Sequence, residues 1–263
     1  MKRILGYVVS LLAAGSVVGA ALPACATNDQ TIFIRGALAP SANRQGGLCV
    51  WTNDPQQTVL FRAGFDVGLS DSYFAILLVG NQLIARGDPQ NNRAESNRAH
   101  INGGVVRVTE AGGAPIDPTH PDGFTSLATG FNDPQTNNAP GYSVVGLVAV
   151  DKPTRDILAA QLPTRQSSKT VLINVKVFGT TLGGVDLESG EYQFPMQVCN
   201  GCLVNLSDGY EPTSLKQPRN CDKAPEANAT QNTGPCFLGQ DLTVSCRDCK
   251  GRRNPDVCDP SVP

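Results

Sequence analysis

The sequence predicts a mainly β fold: an antiparallel two-sheet sandwich of immunoglobulin-like architecture, with one short helix and a disulfide-rich, loop-dominated C-terminal tail. Three observations predict it. Several segments alternate apolar and polar residues with period two, the repeat of a half-buried strand. Charged residues make up only 17% of the 263-residue chain, while glycine and proline number 27 and 19. That balance favours short strands and turns over long helices. Seven of the nine cysteines lie between Cys199 and Cys258, in a stretch too poor in large apolar residues to build a core of its own.

Taken in order, Thr31 to Arg35 reads as the first strand. From Val59 to Asp66, Val59, Phe61, Ala63 and Phe65 share one face, and Arg62, Gly64 and Asp66 share the other. Tyr73 to Val79 is a continuous apolar run, Gly103 to Glu110 is rich in valine, and Ser143 to Val150 is a run of valine and leucine. Each is short enough for a buried strand. Asp151 is placed to cap a helix, Pro153 suits its first turn, and Ile157, Leu158, Gln161 and Leu162 fall at helical spacing before Pro163 ends it. This helix is expected to plug one end of a sheet. In Lys169 to Val177, Val171, Ile173, Val175 and Val177 oppose Asn174 and Lys176. In Glu191 to Val198, Tyr192, Phe194, Met196 and Val198 face inward and Glu191, Gln193 and Gln197 outward. Gly87 to Asn97 and Ala111 to Pro140 are rich in Asn, Asp, Gly and Pro and read as long surface loops, where a ligand site is expected.

The first residues set the compartment. Met1-Lys2-Arg3 is a positive start, Ile4 to Leu22 is apolar and rich in small residues, and the run ends at Leu22-Pro23-Ala24-Cys25. That order is the layout of a secretory signal peptide. Its end resembles the lipobox of bacterial lipoproteins, in which a branched apolar residue stands three before, and a small residue one before, an obligatory cysteine. The resemblance covers about a tenth of the chain. It implies cleavage after Ala24, diacylglycerol on the Cys25 sulfur and an acyl chain on the new amino group. One acyl chain holds a protein marginally, and two or more hold it firmly. Among lipoproteins an Asp after the cysteine marks inner-membrane retention; Ala26 stands there, so the resemblance implies the outer membrane. The apolar run is also close to the length of one spanning helix, but its Gly, Ala and Ser content and the placement of Cys25 argue against that reading. The resulting division is a signal peptide over residues 1–24, a lipidated tether over 25–30, the sandwich over 31–207 and the Cys-rich tail over 208–263.

Setting Cys25 aside leaves Cys49, Cys199, Cys202, Cys221, Cys236, Cys246, Cys249 and Cys258, all expected in disulfides because an exported chain meets oxidants. Seven of these lie from Cys199 to Cys258, an odd number, so full oxidation within one chain requires Cys49 to pair with one of them. Asn200-Gly201 is a strong two-residue hairpin signal and favours Cys199 with Cys202. The other pairings stay open. Cys199-x-x-Cys202 and Cys246-x-x-Cys249 also suggest a four-thiolate zinc site, but double-CxxC sites space their halves by about 15–20 residues, and these lie more than twice as far apart. A thioredoxin-like role needs a CxxC that opens a helix in a βαβ setting, whereas both motifs here sit among turn-formers.

A formal charge of −2 excludes a strongly basic nucleic-acid reader. The only two histidines, His100 and His120, lie in neither a metalloprotease helix motif nor a Gly-x-Ser-x-Gly elbow. Asp117, Asp122 and Asp133 offer carboxylates for calcium, but their spacing matches no ordered calcium loop, and turn chemistry accounts for them. Arg86-Gly87-Asp88 reads as a turn rather than an adhesion tripeptide. Lys250, Arg252 and Arg253, offset by Asp248 and Asp256, read as a solvated face. The expectation is therefore a lipid-anchored cell-envelope protein with a binding or structural role. It has no enzymatic activity and no cofactor, and it meets the membrane through Cys25 and an unspecified protein or cell-wall partner. The alternatives are a ligand-binding or hydrolytic sandwich with its site in the 111–140 loop, around His120 and Asp122, and a CxxC metal or redox module.

Overall fold

A computed structural model describes residues 31–40, 44–45, 48–205 and 235–245. The signal peptide, Cys25, the tether, Cys221, the Cys246-x-x-Cys249 motif, Cys258 and the basic cluster at Lys250, Arg252 and Arg253 lie outside the described residues. The strands are β1 (Ile32–Ala37), β2 (Arg44–Gln45), β3 (Leu48–Cys49), β4 (Ala63–Asp66), β5 (Tyr73–Asn81), β6 (Ala99–Glu110), β7 (Phe124–Asn132), β8 (Gly141–Val150), β9 (Ser168–Thr181), β10 (Asp186–Glu188), β11 (Tyr192–Cys199), β12 (Val204–Asn205) and β13 (Val244–Ser245). The helix α1 (Lys152–Gln161) joins β8 to β9.

Two sheets pack face to face, so the fold is a mainly β sandwich. One sheet has the order β1-β5-β8 and the other β4-β11-β9-β6-β7, with β10 beside the far end of β9. The core between them holds Ile32, Leu77, Leu147, Ile173, Phe194 and Met196, all buried. The inward residues expected on β9, namely Val171, Ile173, Val175 and Val177, are buried, as are Phe194, Met196 and Val198 of β11. Alternation works in these strands because one face meets the other sheet and the opposite face meets solvent. Asn174 departs from the expectation: it is buried on the outer face and donates to the Thr109 hydroxyl.

Helix α1 forms as its sequence dictates. The Asp151 carboxylate accepts from the Thr154 backbone N–H at 3.1 Å, Pro153 occupies the first turn, and Leu158 is buried.

The strands of the two sheets pair antiparallel, except that β4 runs parallel to β11, with Cys199 opposite Asp66. Two expectations are corrected. The segment from Val59 to Asp66 is not one strand. Val59 bridges Leu38 at the first sheet, the chain bends at Phe61, and β4 begins at Ala63 in the second sheet. Crossing between sheets breaks the alternation and leaves Phe61 88% exposed. The Ala111 to Pro140 segment is not one long loop, for it contains β7. On that strand the inward positions carry Ser126 and Asn132, and the large residues Leu127 and Phe131 point out. Phe124 and Ala128 pack partly against the core on the same inner face, so polar and apolar residues are mixed there.

Candidate functional site

The described chemistry-bearing side chains gather at three places. The first is the end of β4 against the end of β11. The parallel register that sets Asp66 opposite Cys199 brings the Asp66 side chain under the loop that leaves β11. Its Oδ1 accepts from the backbone N–H of Gly68 at 3.0 Å and of Gly201 at 2.8 Å, and Oδ2 accepts from Leu203 at 3.0 Å. Asp66 is fully buried rather than outward-facing, because those N–H groups offer better solvation than the alternation rule anticipates. Burial pushes its carboxyl up; the three N–H bonds and the Arg165 guanidinium pull the other way. Gly201 adopts a φ of 78°, the left-handed conformation that favours glycine.

Cys199 and Cys202 are joined, with Cα atoms 5.8 Å apart. The hairpin expected around Asn200-Gly201 does not form, since β11 pairs with β9 and β4 while β12 pairs with β13. A turn held by Asp66 brings the sulfurs together instead. Cys199, Cys202 and Asp66 each present an atom within 4.8 Å of the others. Sulfurs bonded to each other offer no thiolate to a metal.

The second place is the docking of residues 235–245. Cys236 is bonded to Cys49, with Cα atoms 5.7 Å apart and a sequence separation of 187. Phe237 stacks on Trp51 at 6.0 Å and 9° and meets Phe74 edge-on at 5.3 Å. Gln240 accepts from the Phe74 N–H, donates to Ser72 O and bridges Phe65, while Asp241 N–H donates to Gly64 O. These residues cover the outer edge of β4, an exposed row of peptide groups that a sandwich must otherwise protect. The Asp241 carboxylate accepts from Gly64 N–H at 2.9 Å and from the Tyr73 hydroxyl at 3.0 Å. Burial pushes Asp241 up, and burial with the neighbouring Asp241 charge pushes Tyr73 well above its ordinary range.

The third place is a cleft lined by Val106, Val108, Asp117, His120, Phe124 and Asp151. His120 Nδ1 lies 2.9 Å from an Asp117 oxygen, and Thr119 donates its hydroxyl and its N–H to the other. Those bonds hold the Asp117 carboxyl down to about 2. A carboxylate that orients an imidazole suits general acid–base work. The Thr119 hydroxyl beside them is spent on Asp117 and Nδ1, and Asp151 is spent on the helix cap. The three loop aspartates are not gathered: Asp133 pairs with Arg98 at 2.9 Å, and Asp122 is exposed. His100 lies near the start of β6, its ring 4.7 Å from Phe131. Asp88 of the Arg86-Gly87-Asp88 turn caps a short 3₁₀ turn at Pro89–Asn91.

Asp66, which is fully buried, and Asp241, which is half-buried, are the residues that sequence reasoning missed. Nothing local marks them, because their partners lie 135 and 168 positions away.

No known protein family matches the chain, and no curated protein sequence matches it. Among solved structures it is similar to a protein assigned to the late embryogenesis abundant (LEA) group, at 10% identity and a TM-score of 0.26, over 53% of this chain and 71% of that one. No helix among the described residues is long and apolar enough to cross a membrane.

Proposed function

We propose that the protein is a lipid-anchored cell-envelope lipoprotein whose sandwich serves a non-enzymatic binding or structural role. The Leu22-Pro23-Ala24-Cys25 pattern after an apolar run supports the anchor. The observation that carries the reading is the pair of disulfides, Cys49 with Cys236 and Cys199 with Cys202, which a reducing cytosol does not sustain in most proteins. With acyl chains on Cys25, residues 26–30 are a short tether, and β1 begins within a few residues of the bilayer surface. The outer membrane is the favoured destination, since Ala26 follows the lipidated position. The partner is a protein or cell-wall component met by the displayed sandwich.

Fractionation tests the anchor. The wild type is expected in the membrane pellet with incorporated labelled fatty acid, and Cys25→Ser in the soluble fraction without it. Membrane retention of Cys25→Ser with no change in labelling overturns the reading.

A further inference from the structure

We propose that Cys199 and Cys202 form an exchangeable disulfide that reacts with a dithiol-bearing partner through Cys202, with Asp66 as the proton acceptor for Cys199. Three features of the β11–β12 turn carry it. The two sulfurs are unequal: Cys199 is fully buried, and Cys202 is accessible to solvent. A buried carboxylate stands within 4.8 Å of both, and a buried thiol needs a proton acceptor of this kind to react away from water. The turn is also held independently of the S–S bond, because Asp66 binds Gly201 and Leu203, and Asn200 Nδ2 donates to Leu162 O at 3.0 Å. Reduction therefore leaves the two sulfurs side by side, which makes the exchange reversible.

The chemistry balances without a further reagent. A partner thiol loses its proton to water, and its thiolate attacks Sγ of Cys202. A partner–Cys202 disulfide forms, the Cys199–Cys202 bond breaks, and Cys199 leaves with the electron pair and takes up a proton through Asp66. The partner's second thiolate then attacks its own sulfur in the mixed disulfide and releases Cys202, which is protonated from solvent. The partner dithiol is oxidised by two electrons, and Cys199 and Cys202 become two thiols. In the reverse direction Asp66 accepts the Cys199 proton as that sulfur closes on Cys202. The charged group acting on Asp66 is Arg165; Arg155 binds the carbonyls of Val67 and Ser70 in the following turn, and Asp241 binds Gly64 on the same strand. Burial raises Asp66 from its ordinary value, towards the range useful for this transfer.

Glutathione is the probe, with the full chain alkylated after quenching and each cysteine read by mass spectrometry. Supplied as its disulfide, glutathione is expected to be trapped on Cys202 in Cys199→Ser, with the second glutathione leaving as the thiol. Cys202→Ser is expected to leave Cys199 modified at least tenfold less. Equal modification of the two variants, or opening of the wild-type pair only when circular dichroism reports unfolding, overturns the exchange. The role of Asp66 is read from the closure rate of the wild-type mixed disulfide against pH. A profile that follows only an ordinary thiol, near 8.5, overturns that role, whereas a second inflection at lower pH supports it. Asp66→Asn is expected to slow closure about tenfold and remove that inflection, and the wild-type profile decides the matter by itself if the variant does not fold.

Discussion

Tyr73 is almost wholly buried, and its hydroxyl donates to a half-buried carboxylate, so the Tyr73–Asp241 pair joins the sandwich to residues 235–245 through a charge-assisted bond. Tyr73→Phe keeps the ring and removes the donor. It is expected to cost about 1.5–3 kcal/mol, the usual worth of a hydrogen bond to a charged group, read as a drop in denaturation midpoint. The pH dependence has a definite sign. Asp66 and Asp241 sit above their ordinary value in the folded protein, so as pH rises past 3.8 the unfolded chain ionises first and stability falls, levelling only above the raised folded values. Asp117 behaves oppositely: its contribution is present above 3.8 and is lost as pH falls towards about 2. Asp241→Asn keeps an acceptor for Gly64 and Tyr73, and its Tm relative to wild type is expected to improve as pH rises from 4 to 7. A constant difference across that range would show that Asp241 is not raised. None of this is legible in the sequence, where Asp66 falls on the outward phase of an alternating strand. Period two reports which way a side chain points, not whether the N–H groups of residues 201 and 203 will be there to receive it.

Strands whose two faces meet different environments were read from the sequence with their inner residues correct, as β9 and β11 show, and so was α1, whose cap and first turn are local chemistry. Asp151→Ala is expected to cost about 1 kcal/mol through loss of the Thr154 cap. Strand β7 escaped because its inner face mixes polar with apolar residues and its outer face carries Leu127 and Phe131. Its inward Ser126 accepts from the Val148 N–H at 2.9 Å, its buried Asn132 donates to Val79 O at 2.9 Å, and both ties reach strands of the other sheet. An edge strand that fastens two sheets by polar side chains looks like a loop to any rule that seeks apolar residues at alternate positions. The same geometry ranks substitutions. Leu127→Thr, on the exposed face of β7, is expected to change stability by no more than about 0.5 kcal/mol. Phe194→Ala in the core is expected to cost about 3–5 kcal/mol. Comparable losses from the two in urea titrations would contradict the placement of β7.

With every thiol oxidised, the cysteine count required Cys49 to pair with one of the seven from Cys199 to Cys258, but nothing in the sequence distinguishes Cys236 from its neighbours, since the choice depends on where Trp51, Phe74 and the edge of β4 lie in space. The clasp closes a ring across 187 positions, against 3 for Cys199–Cys202. In the chain-entropy picture a ring that long stabilises by up to about 5 kcal/mol, and the short one by about 2 kcal/mol. Replacing Cys49 and Cys236 together by serine is therefore expected to lower the unfolding midpoint much more than replacing Cys199 and Cys202. It has a second consequence. Trp51 is the only tryptophan and stacks on Phe237, so its emission reports the docking of residues 235–245 directly. Loss of the clasp leaves that segment held by the Gln240 and Asp241 bonds, and Trp51 emission is expected to shift to the red at denaturant concentrations where far-ultraviolet circular dichroism still shows an intact sandwich. If the two signals instead change together, residues 235–245 belong to the same cooperative unit as the sheets. Their cover over the β4 edge would then be part of the core fold rather than a strap secured by one bond.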